Sequence, residues 1–130
     1  MHLALMGMAA FNLICSGSNL TGTWQETGFK DKVERPFTTV YRVDLAKKRW
    51  CSDKCLTTAP LNALSSAAIT FRSDSIDDSR LFDAVAQFDR ETGVYIRRLK
   101  VGASVDMDTG KCKLAQFTGF PRTDVLARRD

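Results

Sequence analysis

The sequence predicts an all-β domain, an antiparallel meander of about six to eight strands forming a small barrel or half-open sandwich. Two features predict it. An apolar–Asp–turn–apolar stretch recurs along the chain, and the segments flanking it are β-branched, aromatic or alternating. The chain has 130 residues, 44% of them hydrophobic and 26% charged. That suits one domain burying roughly 65–70% of its unfolded surface, and is too apolar for a disordered tail.

The recurring stretches are Val43-Asp44 to Trp50, Phe88-Asp89 to Tyr95, and Val105-Asp106 to Cys112. Each reads as a hairpin. Asp at the first turn position accepts hydrogen bonds from backbone N–H groups two residues on. A residue at positive φ then returns the chain to the next strand, which Gly93 and Gly110 supply without steric cost. Lys48 lacks that freedom in the first copy. Asp44, Asp89, Gly93, Asp106 and Gly110 are therefore the expected turn-formers.

Strands flank these turns. Thr38 to Val43 places Thr39, Tyr41 and Val43 on one face. Phe82, Ala84, Ala86 and Phe88 form one apolar face, and Ala68 to Arg72 is a short strand. Val94 to Leu99 carries mixed character on both faces. Phe82, Phe88, Phe71, Tyr41, Val43, Trp50 and Leu114 are the expected core. Residues 60–67, opening with Pro60, suit a short helical turn. Thr123 to Arg129 suits a short C-terminal helix, with a capping Thr and late bases. Ser16 to Lys32 reads as a loose edge strand or loop, and Ser73 to Arg80 as a solvated loop.

Residues 1–10 carry the apolar stretch and small-residue site of a signal peptide without its charged start. The expected organisation is a curtailed signal-peptide remnant over 1–10 and a single β-domain over 11–130. The alternative is a native N-terminal strand or helical turn packed on the core. Export implies a periplasmic or secreted protein, and a native N-terminus a cytoplasmic one. No run of eighteen apolar residues exists to form a membrane-spanning helix.

Cys15, Cys51, Cys55 and Cys112 form an even set. Cys51 and Cys55 can close a tight loop, leaving Cys15 to meet Cys112, as two disulfides would require in an oxidising compartment. Unpaired buried thiols and a four-thiolate zinc site are the alternatives, and a zinc ribbon wants a second closely spaced cysteine pair. His2 is the single histidine, at the chain's extreme, so imidazole-based catalysis and histidine zinc sites have no plausible ligand or base. No metal or cofactor is expected.

Other motifs have plainer explanations. Asp108-Thr109-Gly110 matches the aspartic-protease triplet, but the turn reading covers it, leaving a carboxylate-only enzyme as a remote alternative. Asp106-x-Asp108-x-Gly110 begins like a calcium loop, yet Lys111 and Lys113 follow where oxygen ligands belong. Gly22-Thr23-Trp24 resembles the lipocalin opening, against which stands a Trp packed on the core or exposed at an edge. Lys47, Lys48, Arg49, Arg97, Arg98 and Lys100 could form a basic strip for single-stranded nucleic acid. A net charge of +4 is modest for that, and hairpin-tip lysines commonly keep edges soluble.

Phe11-Asn12-Leu13-x-Cys15-x-Gly17, Tyr41 to Leu45 running into Trp50-Cys51 and Cys55, and Asp89 to Gly93 with Tyr95 together resemble a group of small bacterial exported proteins of uncharacterised function. The resemblance covers most of residues 11–118. It implies a signal peptide followed by a short β-domain, and names no reaction. The expected function is a non-enzymatic exported module that binds a protein or small ligand; nucleic-acid binding through the basic strip is the alternative.

Overall fold

Period-two alternation builds the longest ribbon. The computed structural model describes residues 9–75 and 82–121. β1 (Ala10–Gln25) and β2 (Gly28–Asp44) pair antiparallel along nearly their whole length, with Glu26 and Thr27 as the link. Phe11, Leu13 and Cys15 on β1 and Tyr41 and Val43 on β2 point to one side and are buried. The meander continues through β3 (Arg49–Ser52), β4 (Ala59–Pro60), β5 (Ala63–Leu64), β6 (Ala68–Ser75), β7 (Phe82–Asp89), β8 (Val94–Val101) and β9 (Ser104–Ala115). All pairings are antiparallel, and the sheet runs β4-β3-β2-β1-β9-β8-β7-β6-β5.

That order is a circuit with one break. β9 returns to pair with β1, so the first and last strands are neighbours. β4 and β5 follow one another in the chain without pairing, and the sheet ends there on both sides. The result is a curled half-barrel of nine strands. Its concave face buries Phe11, Leu13, Cys15, Tyr41, Val43, Ile69, Phe71, Ala86, Phe88 and Tyr95 as one core. Aromatic rings bridge the two arms of the curl: Tyr41 stacks on Phe71 at 4.1 Å between centroids, and Trp50 meets Phe71 edge-on at 5.2 Å. Burial raises the pKa of both Tyr41 and Tyr95, whose hydroxyls hydrogen-bond each other.

The curl depends on close contact between β1 and β9. Gly17 and Gly110 are register partners, and a β-carbon on either would overlap the other strand's backbone at Thr109 or Ser16. Two residues along, Cys15 and Cys112 form a disulfide with their α-carbons 3.9 Å apart. Phe37 partners Gly17 and Tyr95 partners Gly110, so two rings cover the space the glycines leave, 6.0 Å between centroids. The bridge closes 97 residues of chain, worth about 4–5 kcal/mol in the chain-entropy view.

Two of the expected turns are turns. The Asp44 carboxylate accepts a hydrogen bond from the Lys47 N–H, and Lys48 adopts φ 55° despite its side chain. The Asp89 carboxylate accepts from the N–H groups of Glu91 and Thr92, and Gly93 has φ 79°. The third is not. β9 runs through Asp106 and Gly110, and the reversal lies earlier, at Gly102 with φ 59°. The carboxylates of that stretch bond side chains across the sheet instead of their own backbone. Gly110 is needed for close approach, not for positive φ.

Residues 60–67 form no helix. Leu61 and Asn62 donate to Lys48 and Thr70 carbonyls and Ala63–Leu64 pairs with β6, so sheet bonds claim the backbone a helix would use. Ser16 to Lys32 is the body of the β1–β2 ribbon, because Gly17 and Gly22 make room for neighbours, Thr109 and Phe29 respectively. Ser73 to Ser75 belongs to β6. The expected C-terminal helix lies outside the described residues, as does most of the 1–10 segment, although the Ala9 carbonyl accepts from Leu45 N–H. Of the expected core, Trp50, Leu114 and Phe82 are only partly buried.

Two outcomes test this account. Gly110→Ala forces β1 and β9 apart beside the bridge, and a loss of about 3 kcal/mol is expected in denaturant unfolding, against under about 1 kcal/mol for an ordinary surface change. Hydrogen bonds from Thr92 and Glu91 hold the exposed Asp89 carboxyl below its ordinary pKa. Their support is thus complete above about pH 3.9, the unfolded value, and is lost as pH falls through the folded pKa. Protection of the Glu91 and Thr92 amides, measured against their intrinsic exchange rates, should fall in that acid range. Protection at Gly93, bonded to the Asp89 carbonyl, should change less.

Candidate functional site

The concave face carries a polar row one step from the glycine pair. Strand register places Asn19 of β1 opposite Asp108 of β9, and Asp108 opposite Arg97 of β8. Asp108 accepts from Asn19 Nδ2 at Oδ1 and from Arg97 Nε at Oδ2, both at 2.7 Å. Asp106, two residues back and on the same face, accepts from Asn19 Nδ2 and from the other arm of the guanidinium, again at 2.7 Å. The Asp108 side chain is 6% exposed, Arg97 27% and Asp106 41%, so the row climbs from the core to the surface. Burial lowers the Arg97 pKa, but the Asp108 and then Asp106 carboxylates more than offset it and leave it above the ordinary value. One guanidinium thus holds two carboxylates.

Across the curl lies an open seam. A groove of about 520 Å³ is walled by Trp50, Pro60, Leu61, Phe71, Arg72 and Asp74. A smaller chamber of about 150 Å³ shares Trp50 and Arg72 with it and reaches Tyr41, Ala86 and Arg97. The two adjoin at those residues, with Tyr41, Trp50 and Phe71 among the side chains that line them. Backbone geometry makes the seam. β4 covers β3 only at Arg49 and Trp50, and β5 covers β6 only at Ile69 and Thr70. Cys51–Ser52 of β3 and Arg72–Ser75 of β6 therefore have a strand on one side alone. An irregularity between Thr70 and Arg72 turns Arg72 beside Phe71 into the opening, where it pairs with Asp74 at 3.2 Å.

The basic residues do not assemble into a strip. Lys47 and Lys48 sit in the β2–β3 turn, and Arg49 is tied to Thr58. Arg97 points inward while Arg98, its neighbour, points outward to Asp83 at 2.7 Å. Trp24 is 55% exposed at the ribbon's end against Phe29, so it plugs nothing. Among the described residues no group of three or more His, Cys, Asp or Glu side chains could hold a metal ion.

Both cysteine pairs are disulfides, Cys15–Cys112 and Cys51–Cys55, which points to an oxidising compartment. Among the described residues no helix is long and apolar enough to cross a membrane. Sequence reasoning missed Asn19 and Arg72. Asn19 continues the Leu13, Cys15, Gly17 alternation, a signal that was there to read. Arg72 follows an irregularity and carried none. Comparison with family models, curated proteins and solved structures finds no match.

The ionic row makes a testable claim about Asp108. Removing it strands Arg97 with Asp106 alone, and Asp108→Ala is expected to lose about 2–4 kcal/mol in denaturant unfolding. Asp108→Asn, which keeps an acceptor oxygen, should lose about half as much.

Proposed function

We propose that this chain is a non-enzymatic binding module, periplasmic or secreted, that takes an extended segment of a partner protein into the seam. One observation carries the reading: the Arg72–Ser75 edge of β6, paired with β7 on one side alone, flanks an aromatic floor. Added strands gain affinity from main-chain hydrogen bonds and selectivity from alternate side chains in pockets. Trp50, Phe71 and Leu61 offer such pockets, and the groove is large enough for a bound side chain or two.

The other long free edge is built to refuse company. β2 from Gly28 to Thr39 has β1 on one side and no strand on the other. It carries Lys30, Lys32, Glu34, Arg35 and Pro36, with Asp31 at φ 56°. Charges, proline and irregular backbone blunt an edge against pairing. Val40 turns its N–H and C=O to this side, where both bond Asp53, so alternation places Pro36 where its missing N–H costs no ladder bond. The carboxylates fit a structural part. Both Asp108 oxygens hold strands together through Asn19 and Arg97.

Nuclear magnetic resonance with a capped Val-Thr-Val-Thr-Val peptide tests the reading. Shift changes are expected at the Arg72–Ser75 amides and the Trp50 indole N–H, weakened by Trp50→Ala. Changes confined to the outer face of β7–β8, or none at the solubility limit, would refute it. A single-stranded oligonucleotide at low salt should leave the same signals unmoved; salt-sensitive binding would favour the basic residues instead.

A further inference from the structure

The two disulfides sit in unlike surroundings, and the difference points to chemistry at one of them. Cys15 is fully buried in the β1–β9 ribbon and its bridge spans 97 residues. Cys51 is also buried, at 3% exposure, but its partner Cys55 is half-exposed in the loop after β3 and only four residues away. A guanidinium stands at that sulfur. Arg42 donates to Cys55 Sγ at 3.2 Å, to the Asp53 carbonyl at 2.9 Å and to the Gly119 carbonyl at 3.0 Å. The two carbonyl bonds fix the cation independently of the sulfur. The Cys55 N–H donates to the Ser52 carbonyl, a bond within the loop that does not involve either sulfur.

We infer that Cys51–Cys55 is an exchangeable disulfide, with Cys55 as the sulfur that trades partners with external thiols. A cationic neighbour and partial exposure are the surroundings of reactive cysteines, while apolar burial makes a cysteine inert. A thiolate of an external dithiol attacks Cys55 Sγ, the Cys51–Cys55 bond breaks, and its electron pair leaves on Cys51 Sγ, which takes a proton from solvent. The second thiolate of the dithiol attacks the external sulfur of the mixed disulfide and releases Cys55 as a thiolate beside Arg42. Two electrons pass to the protein and the dithiol becomes a disulfide. In reverse, the Cys55 thiolate attacks an external disulfide and Cys51 resolves the adduct.

The location gives the exchange a consequence. Opening the bridge frees the Cys51 sulfur at the end of β3, where the seam begins, while Asp53 stays bonded to Val40 and Thr58 to Arg49. The inference does not rest on what the seam binds.

The test uses the full chain and two reagents. With limiting dithiothreitol, non-reducing peptide mapping by mass spectrometry should show Cys51–Cys55 opened while Cys15–Cys112 stays closed. With glutathione, the mixed disulfide should sit on Cys55. After partial reduction, iodoacetamide should label Cys55 with a midpoint below about 8.5, the ordinary thiol value. Arg42→Gln should slow that labelling at pH 7 about tenfold, and Arg42→Lys should restore most of the rate. Both bridges opening together, an adduct on Cys51, or equal labelling in Arg42→Gln would each overturn the proposal. If Arg42→Gln fails to fold, the order of opening and the adduct's position in the unaltered chain decide alone.

Discussion

The approach of β1 to β9 at Gly17 and Gly110 is the constraint on which the fold turns. No side chain but hydrogen fits between these backbones, so two positions are fixed before any packing preference acts. What lies around them follows. The disulfide beside the pair holds the strands at that spacing, and Phe37 and Tyr95 fill the hollow above it. With β1 and β9 drawn together, the sheet curls enough for rings on β2 and β3 to reach Phe71 on β6. The aromatic contacts then stabilise a curl that the glycines permit.

The ionic row and the seam occupy the same concave face for different reasons. Asn19, Asp108 and Arg97 lie side by side on three adjacent strands, so their hydrogen bonds reinforce pairing where the hydrophobic core gives out. No buried side-chain nitrogen or oxygen among the described residues lacks a partner. The seam is the opposite case, a place where pairing stops although apolar surface continues. Short β4 and β5 close one end of the opening and leave the rest of two strands uncovered.

The strand class was legible because alternation is a local signal, and the Asp44 and Asp89 turns were legible because their hydrogen bonds are local too. The Asp106–Gly110 stretch shows the limit. It has the same letters as a turn, yet its carboxylates bond Arg97 and Asn19 and its glycine answers Gly17, partners that a local pattern does not contain. Residues 60–67 fail for a kindred reason, since Pro60 opens a helix well but its carbonyl accepts from the Trp50 indole. Phe11, Leu13, Ile69 and Tyr95 belong to the core through neighbours brought together by the curl. The candidate seam was hardest to foresee. It is defined by where two strands lose their partners, and that is a property of the sheet.

The return of β9 to β1 also orders events in time. Hairpins such as β7–β8 and β8–β9 join residues close in sequence, whereas the β1–β9 ladder joins residues nearly a hundred apart, and distant pairings form slowly because chain closure must precede them. Cys15 and Cys112 face each other only through that ladder. The nascent chain is thus most vulnerable to wrong partners just before its two ends meet.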